Sequence, residues 1–147
     1  MNAYFDTNVV IPALVRGQPN FRTSVALLRR ASEGDMQGFL SAQGLTEVYS
    51  VLTRAPWVSP VSPAEALLMI EQTLRRSLTI IDVRADAYFA AIAVCGRQGW
   101  RGGRIHDAVH VQAAAQAGCD VIYTYDVAHF RSVAGDWTGR IEEPPAV

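Results

Sequence analysis

Short apolar runs alternate with longer stretches of helical period along the chain. "AYF" (3–5) is a compact apolar run ending on Asp6; from Thr7 the pattern turns helical to about Arg16, where "RGQPN" breaks it. A second helical segment spans Phe21 to Glu33, with Arg22, Arg29 and Arg30 on its polar side. "GD" closes it, "GFLS" reads as a second strand, and a helix follows from Gly44 to Arg54. Beyond the turn-rich "APWVSPVSP", Ser62 and Glu65 make a capping-box pattern with Pro63 at the first helical position, starting a helix that runs to about Arg76. "LTIIDV" supplies a third strand, Ala85 to Arg97 an alanine-rich helix whose "AYFAAI" aromatics belong to the core, and "GWRGG" a loop. Ile105 to Ala117 is helical and Gly118 stops it. "DVIYT" is a fourth strand, followed by Asp126, a short helix through "AHFRSV" and an edge strand near Arg140.

Strands alternating with helices predict an α/β fold, a three-layer α/β/α arrangement around a mostly parallel sheet of four to five strands. A length of 147 residues suits one domain spanning 1–147. Composition changes this picture little: 50% of residues are hydrophobic and 18% charged, as in folded globular chains. No apolar run approaches a membrane span, and "MNAYFDTNVV" lacks the basic start and apolar stretch of a secretory signal, so a cytoplasmic protein is expected. Cys95 and Cys119 have no metal-binding spacing and read as buried thiols. The net charge of −1 gives no global attraction to a polyanion, so a nucleic-acid partner would need a local patch. All 13 basic residues are arginines, planar donors able to grip phosphate with two hydrogen bonds.

The candidate chemistry lies in the acids. Asp6 and Asp126 each follow a short apolar strand directly, and in an open parallel sheet ligands bind beyond the carboxyl ends of the strands. An acid after a strand is also the usual N-cap of the next helix, so each alone says little. Asp107 falls, at about 100° per residue, between Val111 and Ala114 on an apolar face of small residues. An ionised carboxylate there is costly unless it is paired or binds a cation, although its place in a first helical turn also suits the helix dipole. Glu47 borders a stripe of Val48, Val51 and Leu52, where a lone glutamate would ordinarily face solvent.

"RIHDAVH" offers a second reading, because His106 and His110 stand four apart and such a pair can hold zinc. The remaining histidine, His129, follows the fourth strand, and the acid between the pair is aspartate where the zincin motif has glutamate. His106 and His110 are therefore expected at the surface or the rim of a site. Carboxylates without dedicated nitrogen or sulfur ligands suit Mg²⁺ or Mn²⁺, which prefer oxygen and retain water.

"YFDTNVV", Glu47 early in a helix, "GGRIHDAVHVQAA" and "GCDVIYTYDVAHF", in that order, resemble a PIN-domain ribonuclease, and the length resembles the VapC-type toxins of bacterial type II toxin–antitoxin systems. The resemblance covers nearly the whole chain. It implies a Mg²⁺-dependent endoribonuclease with Asp6, Glu47, Asp107 and Asp126 as its acidic pocket, Asp6 and Asp107 being the principal metal ligands. It implies supporting roles for Asn8 and Thr124, a homodimer, and a cognate antitoxin that covers or disrupts the pocket. Arg97, Trp100, Arg101 and Arg104 in "GRQGWRGGR" are candidate RNA contacts, since arginine with an aromatic ring suits a single strand. Two other classes compete. An aspartyl-phosphate phosphatase using Asp6 would need a second aspartate two residues on and a phosphate-clamping lysine, and the chain has neither. A catalytically inactive PIN-fold binding module would have no need to keep four acids.

Overall fold

In the computed structural model, which describes all 147 residues, the sheet is built outward from its first strand. β1 (Asn2–Phe5) lies between β2 (Gln37–Ser41) and β4 (Val121–Tyr123); β3 (Thr79–Ile81) extends the β2 side and β5 (Ile141–Glu142) the β4 side. The order is β3-β2-β1-β4-β5 and every pairing is parallel. The alternation of a strand divides β1 between two cores. Ala3 and Phe5 join Val9, Val10, Leu27, Leu28, Val48 and Leu52 from α1 (Thr7–Leu14), α2 (Phe21–Ser32) and α3 (Ala42–Arg54). Tyr4 points the other way, with Ile122, into Val111, Ala113 and Ala114 of α7 (Arg104–Gln116) and Phe130 and Val133 of α8 (Val127–Val133). α6 (Ala85–Gln98) packs outside α7. The expected three-layer α/β/α fold with a parallel sheet is what the chain forms, with five strands, the last near Arg140 as anticipated.

The capping box at Ser62 is present in both directions, Ser62 Oγ accepting from the Glu65 amide at 3.2 Å and Glu65 accepting from the Ser62 amide at 2.7 Å. The single helix expected to about Arg76 is instead α4 (Pro63–Met69), a wider π turn over Ile70–Leu74, and α5 (Arg75–Ser77). The apolar positions explain this: Ala66, Ile70, Leu74 and Leu78 recur every four residues. A 3.6-residue period would carry them steadily off the core face, and one wider turn brings Leu74 (0% exposed) and Leu78 (6%) back.

The structure corrects one core assignment. On α6 the stripe Ala87, Ala91 and Cys95 is buried against α7, and Phe89 lies on the far side, 72% exposed, with Ile92 at 55%. Tyr88 is half-buried beside the small cluster around Ala91. Alanine richness hid the direction of the helix, because so many small residues leave several faces equally apolar. Cys95 and Cys119 are free and buried, as expected.

Gly38 marks the closest approach of α2 and the Leu78 segment to β2. A Cβ there would lie 2.6 Å from Leu78 Cδ2 and 3.1 Å from Ala31 Cβ. Gly38→Ala is expected to destabilise the protein by about 1–3 kcal/mol through overpacking, read from the midpoint of urea unfolding. An unchanged midpoint would show that this layer yields freely.

Candidate active site

All five strands run the same way, so their carboxyl ends share one edge. The chain leaves β1 toward β2 and returns on the other side of β1 as β4, which makes the β1–β4 boundary the switch point of the sheet. Asp6 leaves β1 at that point, its amide still donating to the Tyr123 carbonyl at 3.0 Å. It sits at the N-cap position of α1, yet its side chain caps nothing, and it is only 4% exposed. The capping explanation therefore fails for Asp6. Thr124 Oγ1 instead donates to Asp6 Oδ2 at 2.8 Å, and that hydroxyl accepts from Asn8 Nδ2 and from the Asp126 amide, each at 3.0 Å. Asn8 Oδ1 also accepts from the Tyr125 amide at 3.1 Å, tying α1 to the turn after β4. Burial pushes the Asp6 carboxyl above the usual aspartate range and the charge of Asp107 adds to it, while His110 and the Thr124 hydrogen bond pull the other way.

Asp107 stands in the first turn of α7. Burial raises its carboxyl too, opposed by His129 and reinforced by the charge of Asp126. His129 Nε2 lies 2.7 Å from Asp107 Oδ2. Asp126 does what an acid after a strand usually does: it is the N-cap of α8 and accepts from the His129 amide at 3.3 Å. It is exposed, at the outer edge of the group.

Glu47 reaches in from α3. Gln43 Nε2 donates to its Oε1 at 2.9 Å and is itself 3.1 Å from His106 Nδ1; its Oε2 meets His110 Nε2 at 3.2 Å. Burial acts to raise the Glu47 carboxyl, but the His110 hydrogen bond and charge and the Gln43 amide outweigh it and leave it below the usual range. For His110 the balance is reversed in sign. Burial acts to lower the imidazole, and the hydrogen bond and charge of Glu47, with the charges of Asp6 and Asp107, leave it raised.

His110 is the principal correction to the sequence reading. Expected at the surface or rim, it is 1% exposed, whereas His106 is at the rim as expected. Spacing carried the signal. His110 is three residues after Asp107, on the same helical face, while His106 and His110 do not share a ligand. Gln43 and His129, also unassigned from sequence, orient Glu47 and Asp107 across elements far apart in the chain.

The four acids thus meet at one edge, linked through mutual charge effects and through His110. No three His, Cys, Asp or Glu side chains converge on one point to hold an ion by themselves. A cleft of roughly 300 Å³ opens beside Glu47, lined by Thr7, Thr46, Ser50, Val51 and Arg54. In the glycine-rich loop, Arg97 and Arg101 are exposed, whereas Trp100 is half-buried against the α6–α7 and α8 clusters. Arg104 covers the Trp100 ring at 5.3 Å and donates to Ser132 Oγ at 3.1 Å. No helix is long and apolar enough to cross a membrane.

Comparisons with known proteins agree with this fold. The family model described as the PIN domain matches residues 3–136. No curated protein matches in sequence. Among solved structures, VapC20 of Mycobacterium tuberculosis, described as a sarcin–ricin loop cleaving toxin, superposes with a TM-score of 0.71 at 18% identity, covering 97% of this chain and 99% of its own. FitAcB from Neisseria gonorrhoeae gives 0.68 at 22% identity, covering 97% of each chain. VapBC2 from Rickettsia felis, bound to a DNA fragment from its promoter, gives 0.68 at 16% identity over 97% of this chain and 98% of that one. With the family model spanning nearly its whole length and its acids gathered at the switch point of a parallel sheet, the chain belongs to the PIN domain family.

Proposed function

We propose that the protein is a Mg²⁺-dependent endoribonuclease, the toxin of a toxin–antitoxin pair acting in the cytoplasm. The observation that carries this reading is Asp6: a buried carboxylate at an N-cap position that caps nothing, raised by burial and by the neighbouring charge of Asp107. Acids that crowd one another in this way are relieved by a cation. The donor set fits Mg²⁺ or Mn²⁺, being all oxygen from Asp6, Asp107, Glu47 and Asp126. Asp6 and Asp107 would hold the ion directly, with Glu47 and Asp126 completing the acidic site and water the shell, the mode Mg²⁺ favours. A bound Mg²⁺ supplies polarisation of the scissile phosphate, activation of water and neutralisation of the departing oxygen.

The chain's own groups divide the remaining work. Thr124, held by Asn8, fixes the rotamer of Asp6, and His129 fixes that of Asp107. Glu47, kept ionised by His110 and Gln43, would orient water by accepting a hydrogen bond from it. Asp126 marks the open edge. The cleft beside Glu47, with the Thr7, Thr46 and Ser50 hydroxyls and Arg54, offers a path for a phosphate backbone. Arg97 and Arg101 are free to join it; Trp100 and Arg104, stacked on each other, would shape the loop rather than stack on bases. The test is cleavage of RNA by the purified, partner-free protein with added Mg²⁺. A protein that binds RNA or a protein partner but never cuts would instead be an inactive PIN-fold binding module.

The fold likeness to the VapBC2 and FitAcB structures supports a protein antitoxin, and a small reading frame adjacent to this gene encoding a DNA-binding protein that co-purifies with it would support it directly. The homodimer would draw on the outer face of α6, where Phe89 and Ile92 are unpaired apolar surface. Phe89→Glu is expected to turn a dimer into a monomer in sedimentation velocity without changing the far-ultraviolet circular dichroism. A dimer that persists would move the interface elsewhere.

A further inference from the structure

Glu47 raises a question the acid cluster does not answer. A lone glutamate at the border of a helical stripe ordinarily turns to solvent, yet its side chain is only 30% exposed and joins the pocket. The cause lies beneath it. The Ser41 amide, at the end of β2, donates to Tyr4 Oη at 3.3 Å; Tyr4 Oη lies 2.6 Å from His110 Nδ1; and His110 Nε2 lies 3.2 Å from Glu47 Oε2. Tyr4 is fully buried in β1, and burial raises its hydroxyl far above the usual tyrosine range, so it keeps its hydrogen. Whichever of Tyr4 Oη and His110 Nδ1 donates to the other, Glu47 is an ionised carboxylate and can only accept, so His110 Nε2 carries a hydrogen and donates it to Glu47.

We propose that His110 is a positioning residue: the buried chain Ser41–Tyr4–His110 draws Glu47 out of solvent and fixes its carboxylate in the acid pocket. Three elements are tied at one point, since Tyr4 belongs to β1, Glu47 to α3 and His110 to α7. The His110 ring is 1% exposed and packs against two aromatic rings, 5.7 Å from Tyr4 and 6.4 Å from Phe130 between centroids, so the core restrains its movement. With Gln43 holding Oε1 and His110 holding Oε2, both oxygens of Glu47 are oriented, and their remaining lone pairs are left to the pocket. An apolar residue at 110 would keep the core filled and release Glu47.

The test separates positioning from mere packing, and it rests on the nuclease reading only in its activity arm. His110→Phe keeps an aromatic ring in the core, somewhat larger than imidazole, and removes both ring nitrogens; His110→Gln restores an amide donor near the position of Nε2. Loss of a hydrogen bond that orients a metal-site carboxylate costs roughly 10–100-fold. His110→Phe is therefore expected to lower kcat for RNA cleavage by that factor with little change in KM, and His110→Gln to recover part of it. Combining His110→Phe with Glu47→Ala should add almost nothing to the loss caused by Glu47→Ala alone, because both remove the same placed carboxylate. Full additivity, or His110→Phe cleaving like the wild type, would overturn the proposal. The second arm needs no activity. Long-range ¹H–¹⁵N spectra of the wild-type protein should show a hydrogen on His110 Nε2 whose resonance moves in Glu47→Gln. A bare Nε2, or a resonance indifferent to that substitution, would overturn it as well, even in a protein that cuts nothing. If the spectra agree while RNA survives intact, the nuclease reading fails and the positioning of Glu47 stands.

Discussion

Asp6→Asn and Asp107→Asn proteins are each expected to cleave RNA roughly 10³-fold more slowly than the wild type, a loss of about 4 kcal/mol of transition-state stabilisation. Asparagine preserves the shape of the side chain and the acceptor for Thr124, so the fold should survive while the charge that holds a cation disappears. Thermal unfolding of the metal-free proteins provides the companion measurement. The folded-state pKa of Asp6 is raised above its unfolded value. Its contribution to stability is therefore fully present below the unfolded pKa of about 4 and is lost as the pH rises through the folded value. Asparagine carries no such penalty at any pH. The Tm of Asp6→Asn should thus draw ahead of the wild type as the pH is raised from about 3 toward neutrality, by a few degrees for each kcal/mol relieved. A less active but more stable variant is the signature of a carboxylate kept for chemistry rather than for folding. Full activity in either variant would remove that residue from the site, and an Asp6→Asn protein less stable than the wild type at neutral pH would show that Asp6 is kept for folding.

Withdrawal of the metal should have an effect of similar size. EDTA is expected to silence cleavage, and Mg²⁺ or Mn²⁺ to restore it where Zn²⁺ does not. Binding to the folded state alone stabilises it by about 2.7 kcal/mol at a ligand concentration 100 times Kd. Saturating Mg²⁺ should therefore raise the Tm of the wild-type protein, and the rise should vanish in Asp6→Asn and Asp107→Asn. Cleavage that continues in EDTA would instead direct attention to the histidines: His110 beside Glu47, His129 beside Asp107 and His106 beside Gln43.

The arrangement also explains why Asp126 should tolerate change better than Asp6. Asp126 is exposed and already serves as the cap of α8, so its side chain has a local role that asparagine would largely keep. Asp6 has no such second role.

The apolar rhythm of the chain determined the element order, the parallel sheet and the placing of Asp6 and Asp126 beyond strand ends, because these follow from local periodicity and from where strands stop. It also identified Asp107 as an anomaly, a charge on the apolar face of a helix. Other features depended on contacts between segments far apart in the chain. The outward turn of Phe89 was invisible in an alanine-rich helix that could bury several faces, and the wider turn at Ile70–Leu74 appears only once Leu74 and Leu78 have a core to face. His110 is the clearest case. Its distance from Asp107 in sequence placed it on the same helical face, but only the packing of α7 against β1 and α3 set Tyr4 on one of its nitrogens and Glu47 on the other. Local sequence determines which face a side chain occupies; which charges and hydroxyls meet it there is decided by tertiary packing, because those partners come from positions 63 and 106 residues away.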